Sequence, residues 1–238
     1  MMNGDSPFDG GGLVAKSATA RSTSDLAVED AVRAVRVSSR RRQLLDAAVA
    51  VMERTGFHQM SMQALADEAQ VSVGLFYKYF GSKEDILLAA IVDILEKFRD
   101  QLQPAMDLAG DDPVEQLIAG FRQYARIVDE NRDAVVLTYR ESRTLDAEGR
   151  DQIKQLEVET SAPMREAITA AIENGSMKAD VDADLAVFDL MMLAHGWALK
   201  HWHFAPALTI DEYATAQLRF ALPALVVGDR LGGYLAAL

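Results

Sequence analysis

The chain has 238 residues, 50% of them hydrophobic, no cysteine and a formal net charge of −12. Its length admits one large or two small domains with a sizeable core. Zero cysteine excludes disulfides, thiol catalysis, thiolate metal sites and iron–sulfur clusters, and it fits a cytoplasmic protein. Residues Met1 to Gly12 are polar, acidic and glycine-rich, so no secretory signal is expected. The longest clean apolar run, Phe220 to Val227, is too short for a bilayer, so no membrane partner is expected.

The acidic total argues against nucleic acid only if the charge is evenly spread, and it is not. Residues 1–84 hold ten Lys/Arg and ten Asp/Glu, whereas residues 85–238 hold fourteen and twenty-six and account for the whole −12. Residues 31–45 carry Arg33, Arg36, Arg40, Arg41 and Arg42 with no acidic residue. Charges farther than about 8 Å are screened at physiological salt, so such a segment can bind phosphates on an acidic protein.

In chain order, residues 1–25 are rich in Gly, Ser, Thr, Asp and Ala and read as a tail, with a helical extension from about Leu26 to Val37. From Ser39 onward the pattern is helical. Leu44, Leu45, Ala48, Val51 and Met52 form one helical face, and Gly56 is a stop. Ser61 caps a short helix with Met62, Leu65, Ala66 and Ala69 inward, and Ser72 caps another carrying Phe76 and Phe80. Ser82 opens a long helix ending near Pro104. Further helices start at Asp112-Pro113, at Asn131 and near Ala147, the last running to Ile172 with Pro163 kinking it. Two more span Asp182–Phe204 and Thr209–Val227. Nothing asks for a strand, and the fold class is all-α.

Three helices with a tight turn between the second and third are the helix-turn-helix pattern. The pattern needs a small residue at the crossing, Ala66, and an apolar residue after the turn, Val71. It also needs a second helix whose outer face can enter the major groove. With Phe76 and Phe80 inward, Val73, Gly74, Leu75, Tyr77, Lys78 and Tyr79 remain wholly or partly outward. Gly74 permits close backbone approach, and the N-terminus at Ser72 offers N–H groups to a phosphate.

Arg41 to Leu95 resembles the DNA-binding region of the TetR family of bacterial repressors. The resemblance is carried by Leu44-Leu45-Asp46-Ala47-Ala48, Gly56-Phe57, Met62 through Ala69, Val71 through Phe80 and Ser82-Lys83-Glu84-Asp85. It implies that Ser61 and Gln63 touch the backbone or groove edge, and that Ser72, Val73, Gly74 and Leu75 face bases and adjoining phosphates. It places Tyr77 and Lys83 on phosphates, with Lys78 and Tyr79 beside them. Two positions depart from the family pattern. Gln70 stands at a turn position often held by glycine, and Leu75 stands where a small hydroxyl residue is frequent, so it would read thymine methyls.

The same resemblance implies that the last two long helices pair across a two-fold axis as a homodimer, while preceding helices enclose an effector cavity. Candidate lining residues are Phe98, Phe121, Tyr124, Tyr139, Met164, Ile168, Phe188, Met191, Met192 and Trp197. The segment Val135 to Arg143, with Trp197 and Lys200-His201-Trp202, is similar to the regulators of this family that sense acyl-CoA thioesters. Arg140, Arg143 and Lys200 are the cations for CoA phosphates. The spacing of His195, His201 and His203 places no pair on one helical face, so no metal is expected. No phosphate-cradling loop, nucleophile elbow or acid/base constellation appears, so neither catalysis nor a cofactor is expected.

The resulting expectation is a tail with a basic end over 1–37, a helix-turn-helix domain over 38–84, a ligand-binding and dimerisation domain over 85–228, and a C-terminal tail over 229–238. Its function is that of a cytoplasmic repressor released from a palindromic double-stranded DNA operator by a small apolar effector. Arg40, Arg41 and Arg42 approach a neighbouring phosphate or the minor groove. Two alternatives use the same residues: a sensor of the multidrug type or of another small molecule, and a constitutive architectural DNA-binding protein.

Overall fold

The computed structural model describes residues 23–238. The chain divides into two compact units, residues 1–40 and residues 41–238. The described residues form eleven helices, one 3-10 turn and an isolated antiparallel bridge between Met177 and Val226. Helix α1 spans Thr23–Thr55, α2 Met62–Ala69, α3 Val73–Tyr79 and α4 Lys83–Asp107. Next come α5 Pro113–Glu130, α6 Arg132–Glu141, the 3-10 turn Ser142–Thr144 and α7 Ala147–Glu173. Last are α8 Ala183–Leu199, α9 His201–Phe204, α10 Ile210–Leu225 and α11 Gly228–Ala237. The all-α expectation holds. Among the described residues no helix is long and apolar enough to cross a membrane.

Capping chemistry explains most of the starts. Ser61 accepts from the Ala64 N–H, Ser82 from Asp85, Asp112 from Val114 and Glu115, Asp146 from Gly149 and Asp182 from Leu185. Each bond satisfies a donor that the first helical turn leaves unpaired. Thr209 and Glu212 close a reciprocal capping box at α10. Gly56 follows α1 at φ 77°, where a side chain would be strained.

Four expectations are corrected. The tail expected over 1–37 lies outside the described residues at 1–22; from Thr23 the chain is α1, which contains the helical extension expected from about Leu26 to Val37 and starts three residues before it. Helix α4 does not end near Pro104: it continues to Asp107, because Leu102 and Met106 on either side are buried in the core. The helix expected over Asp182–Phe204 breaks at Lys200, whose backbone leaves the helical region at φ −125° and ψ 27°. The expected tail over 229–238 is helix α11, anchored by Arg230 to Ser176, by Tyr234 to Asp112 and by Arg122 to the Leu238 carbonyl.

The larger helical half is centred where α4, α5 and α7 meet. Gly120 on α5 makes that approach possible, since a β-carbon there would lie 2.9 Å from Met106 Sδ and 3.2 Å from Met164 Cγ. Phe98 stacks on Tyr124 with centroids 4.1 Å apart and planes 17° from parallel. Gly196 on α8 plays the same part toward α10, because the Tyr213 hydroxyl occupies the place of its missing β-carbon.

Candidate DNA interface and effector pocket

The helix-turn-helix is held from inside. Leu44, Leu45, Ala48, Val51 and Met52 of α1 join Leu65, Ala66 and Ala69 of α2 and Phe76 and Phe80 of α3 in one buried cluster. The turn between α2 and α3 is closed by Gln70 at φ 54° and ψ 47°, the left-handed conformation, with its N–H shared between the Ala66 and Asp67 carbonyls. A glutamine there carries a strain that glycine would not. Arg41 lies over the Phe80 ring at 5.9 Å, so its guanidinium is partly committed to the fold. Arg40 and Arg42 are exposed.

On α3 the outward set sorts into two groups. Ser72, Gly74, Tyr77 and Lys78 are exposed, Tyr77 at 57%. Val73, Leu75 and Tyr79 are half-buried and pack partly on the core. Among the described residues nothing demands glycine at 74, where a β-carbon would meet only Ser72 Oγ at 4.0 Å. Ser61 is exposed but spends its oxygen on the Ala64 cap, and Gln63 donates to Asp67 at 2.7 Å. Lys83 is not merely solvated. Its ammonium donates to the Met60 carbonyl at 3.0 Å and stands over the Phe57 ring, leaving two of its three donors for a phosphate.

The effector candidates also divide. Phe98, Phe121, Tyr124, Met164, Ile168, Met191 and Trp197 are buried together. Phe188 and Met192 do not join them: with Leu185 they form an exposed stripe on α8. That stripe borders a groove of about 570 Å³ between α8 and α10, lined by Leu185, Leu193, Phe220 and Ala224 among others. Tyr139, Arg140, Arg143 and Lys200 are exposed on or beside α6 and α9.

Sequence reasoning missed how this half is wired. His195, weighed only as a metal ligand, has a tyrosine hydroxyl within hydrogen-bond distance of each ring nitrogen, Tyr124 at 2.8 Å and Tyr139 at 2.7 Å. Burial pushes its pKa down to about 4, so the imidazole is neutral at physiological pH. Burial likewise drives the Tyr124 hydroxyl well above its ordinary range and raises that of Tyr139. Trp197 donates to Asp129 at 2.7 Å, and Asp129 pairs with Arg132. The only advance signal was that His195 lies on the same helix as Trp197, amid apolar residues.

This arrangement is a DNA-reading helix joined to a helical body with an apolar interior and an exposed apolar face. The comparisons agree. The family model described as bacterial regulatory proteins, tetR family, matches residues 44–90, and that described as tetracyclin repressor-like, C-terminal domain, matches residues 110–222. The HTH-type transcriptional regulator HbdR of Aromatoleum sp. (strain CIB) is 35% identical over 177 residues, covering 74% of this chain and 76% of HbdR. Among solved structures, AibR in complex with isovaleryl coenzyme A and operator DNA has a TM-score of 0.66 at 23% identity, covering 77% of this chain and 98% of AibR. FadR from Bacillus subtilis in complex with stearoyl-CoA has a TM-score of 0.64 at 23% identity, covering 79% and 98%. With both its reading head and its helical body matched in one order, the chain belongs to the TetR family of bacterial regulatory proteins.

Proposed function

We propose that the protein is a homodimeric, ligand-responsive repressor, working in the cytoplasm, that leaves a palindromic operator when an acyl-CoA thioester binds its helical half. The observation that carries the DNA part is the exposed outer face of α3, where Ser72, Gly74, Tyr77 and Lys78 stand free of the core. Ser72 and Gly74 meet bases and adjoining phosphates, and Val73 and Leu75 offer apolar edges to thymine methyls. Tyr77, Lys78, Lys83 and the arginines at 40–42 hold the backbone, while Tyr79, Ser61 and Gln63 border it. Two such helices about 34–36 Å apart match successive major grooves, which is the function of dimerisation.

The effector class is supported by two similar solved structures, AibR in complex with isovaleryl coenzyme A and FadR in complex with stearoyl-CoA. The buried group around Phe98, Phe121, Tyr124, Met164 and Ile168 suits an acyl chain, and Arg140, Arg143 and Lys200 suit phosphates. Met191 and Trp197 continue the apolar wall.

The test uses variants of the reading head on DNA enriched from a random library. Lys83→Ala weakens all sites alike and lowers the salt slope by about one ion. Tyr77→Phe weakens binding without loss of stability, since its hydroxyl bonds to nothing among the described residues. Changed base preference with an unchanged salt slope in Lys83→Ala overturns its role, and unchanged affinity in Tyr77→Phe overturns the other.

A further inference from the structure

Three side chains from three helices form one hydrogen-bonded file in the helical half: Tyr124 on α5, His195 on α8 and Tyr139 on α6. Tyr124 Oη lies 2.8 Å from His195 Nε2, and Tyr139 Oη lies 2.7 Å from His195 Nδ1. Beyond them, Tyr139 Oη lies 3.3 Å from Met192 Sδ.

Counting protons gives the file a direction. A neutral imidazole carries one N–H and one acceptor nitrogen. Tyr124 is buried, and among the described residues its hydroxyl has only His195 to bond. A hydrogen turned away from His195 would be a buried donor with no acceptor, which native folds avoid. Tyr124 therefore donates to Nε2, His195 carries its hydrogen on Nδ1, and that N–H donates to the Tyr139 oxygen. Tyr139 is left with its own hydrogen, which it points at a thioether, one of the poorest acceptors in a protein. The file thus ends, at a half-exposed position, on a good donor given a poor acceptor.

An oxygen arriving beside Tyr139 would take that hydrogen from the Met192 sulfur, and no proton behind it would need to move. The charge around the file selects an uncharged oxygen. His195 is neutral, and Glu157 on α7 acts on both tyrosines through its negative charge, opposing a second anion there. The location is also specific. Through His195 and Tyr124 the hydroxyl of Tyr139 connects to the ring stacked on Phe98, and the exposed Arg140 follows Tyr139 in the chain. A CoA thioester presents its parts in that order: apolar chain, carbonyl, phosphates.

We propose that Tyr139, oriented by His195 and Tyr124, donates a hydrogen bond to the thioester carbonyl of the effector and makes the regulator tell the thioester from a CoA ligand that lacks this carbonyl. This rests on the acyl-CoA reading given above and adds the residue that recognises the reactive group. His195 and Tyr124 act as positioning residues.

The test is calorimetry on the full-length dimer with two matched pairs of probes. One pair is isovaleryl-CoA and the S-(3-methylbutyl)-CoA thioether, in which a methylene replaces the carbonyl. The other is stearoyl-CoA and S-octadecyl-CoA. In the wild type, the thioester of the fitting pair binds about tenfold more tightly than its thioether, the worth of one good hydrogen bond. Tyr139→Phe brings the thioester down to the thioether's affinity and leaves the thioether where it was, which also shows that the variant is folded. Thioester and thioether binding alike to the wild type overturns the assignment of Tyr139 while the acyl-CoA reading stands. Failure of all four probes to bind overturns both.

Discussion

Lys97 Nζ on α4 donates to Asn131 Oδ1 at 2.8 Å, tying the helix that leaves the DNA-binding head to the corner between α5 and α6. The same ammonium pairs with Asp93 at 3.1 Å and lines a cleft of about 220 Å³ that also includes Asp46 and Val49 of α1 and Asp129 and Asp133 of the corner. Burial raises the Asp46 carboxyl, and Lys97 pulls it the other way. Asp129 in turn accepts from Trp197 on α8. Polar ties from α4 and from α8 therefore converge on the corner between α5 and α6, at a cleft that Asp46 of the head also lines.

That convergence predicts a variant that binds both ligands but does not couple them. Effector coupling of about 1–3 kcal/mol changes operator affinity roughly 5–150-fold. In Lys97→Met the hydrocarbon stem is kept and the charge lost, so the effector-driven change should shrink to about threefold or less while effector affinity stays the same. Anisotropy titrations of operator DNA with and without effector measure both. An unaltered ratio would mean that the signal travels elsewhere.

Gln70 holds a left-handed backbone at φ 54°. Gln70→Gly is expected to raise stability by about 1 kcal/mol, read as a higher urea midpoint. Operator affinity should be unaffected, since Gln70 is not among the residues proposed to touch DNA. A lower midpoint would show that the glutamine side chain contributes more than the strain costs.

Leu185 is 62% exposed and Phe220 75% exposed on either side of the groove between α8 and α10. Large apolar residues left in water in one patch mark a contact surface, and the homodimer proposed above is expected to pair through it. Phe220→Glu should convert the dimer to a monomer in sedimentation velocity and weaken operator binding by about a hundredfold, because one half-site alone is then held. A variant that still sediments as a dimer would place the two-fold contact elsewhere.

Burial lowers the His195 pKa to about 4, below the value of about 6.5 it regains on unfolding. As pH falls from 6.5 toward 4, the unfolded chain takes up a proton that the folded one refuses, so stability falls across that window and levels off below it. The full loss is about 3 kcal/mol at most. Urea midpoints at pH 7 and 4.5 should drop less in His195→Gln than in the wild type. Equal drops would show that His195 is not held neutral.

Local chemistry made much of this legible from residues alone. Ser61, Asp112 and Thr209 announced helix starts because capping depends on a side chain and the backbone three residues away. The crossing at Ala66 and the pair Phe76 and Phe80 announced the reading head for the same reason. What stayed hidden depends on distant partners. Helix α11 carries Gly232 and Gly233 and forms because Arg122, Asp112 and Ser176 hold it. Lys200 breaks the helix after α8 with no proline or glycine to mark it. Helix α8 is apolar nearly all round, so periodicity did not separate Met191, which faces its own core, from Phe188 and Met192, which do not. The role of His195 requires three helices to meet.

Effector binding and operator binding oppose one another. The direct measurement is dissociation of the dimer from its selected operator as isovaleryl-CoA or stearoyl-CoA is added at fixed salt. Release by the thioester, at least fivefold in affinity, with no release by CoA and the free acid together, is the predicted result. A thioester that binds the dimer tightly and leaves operator affinity unchanged would contradict it.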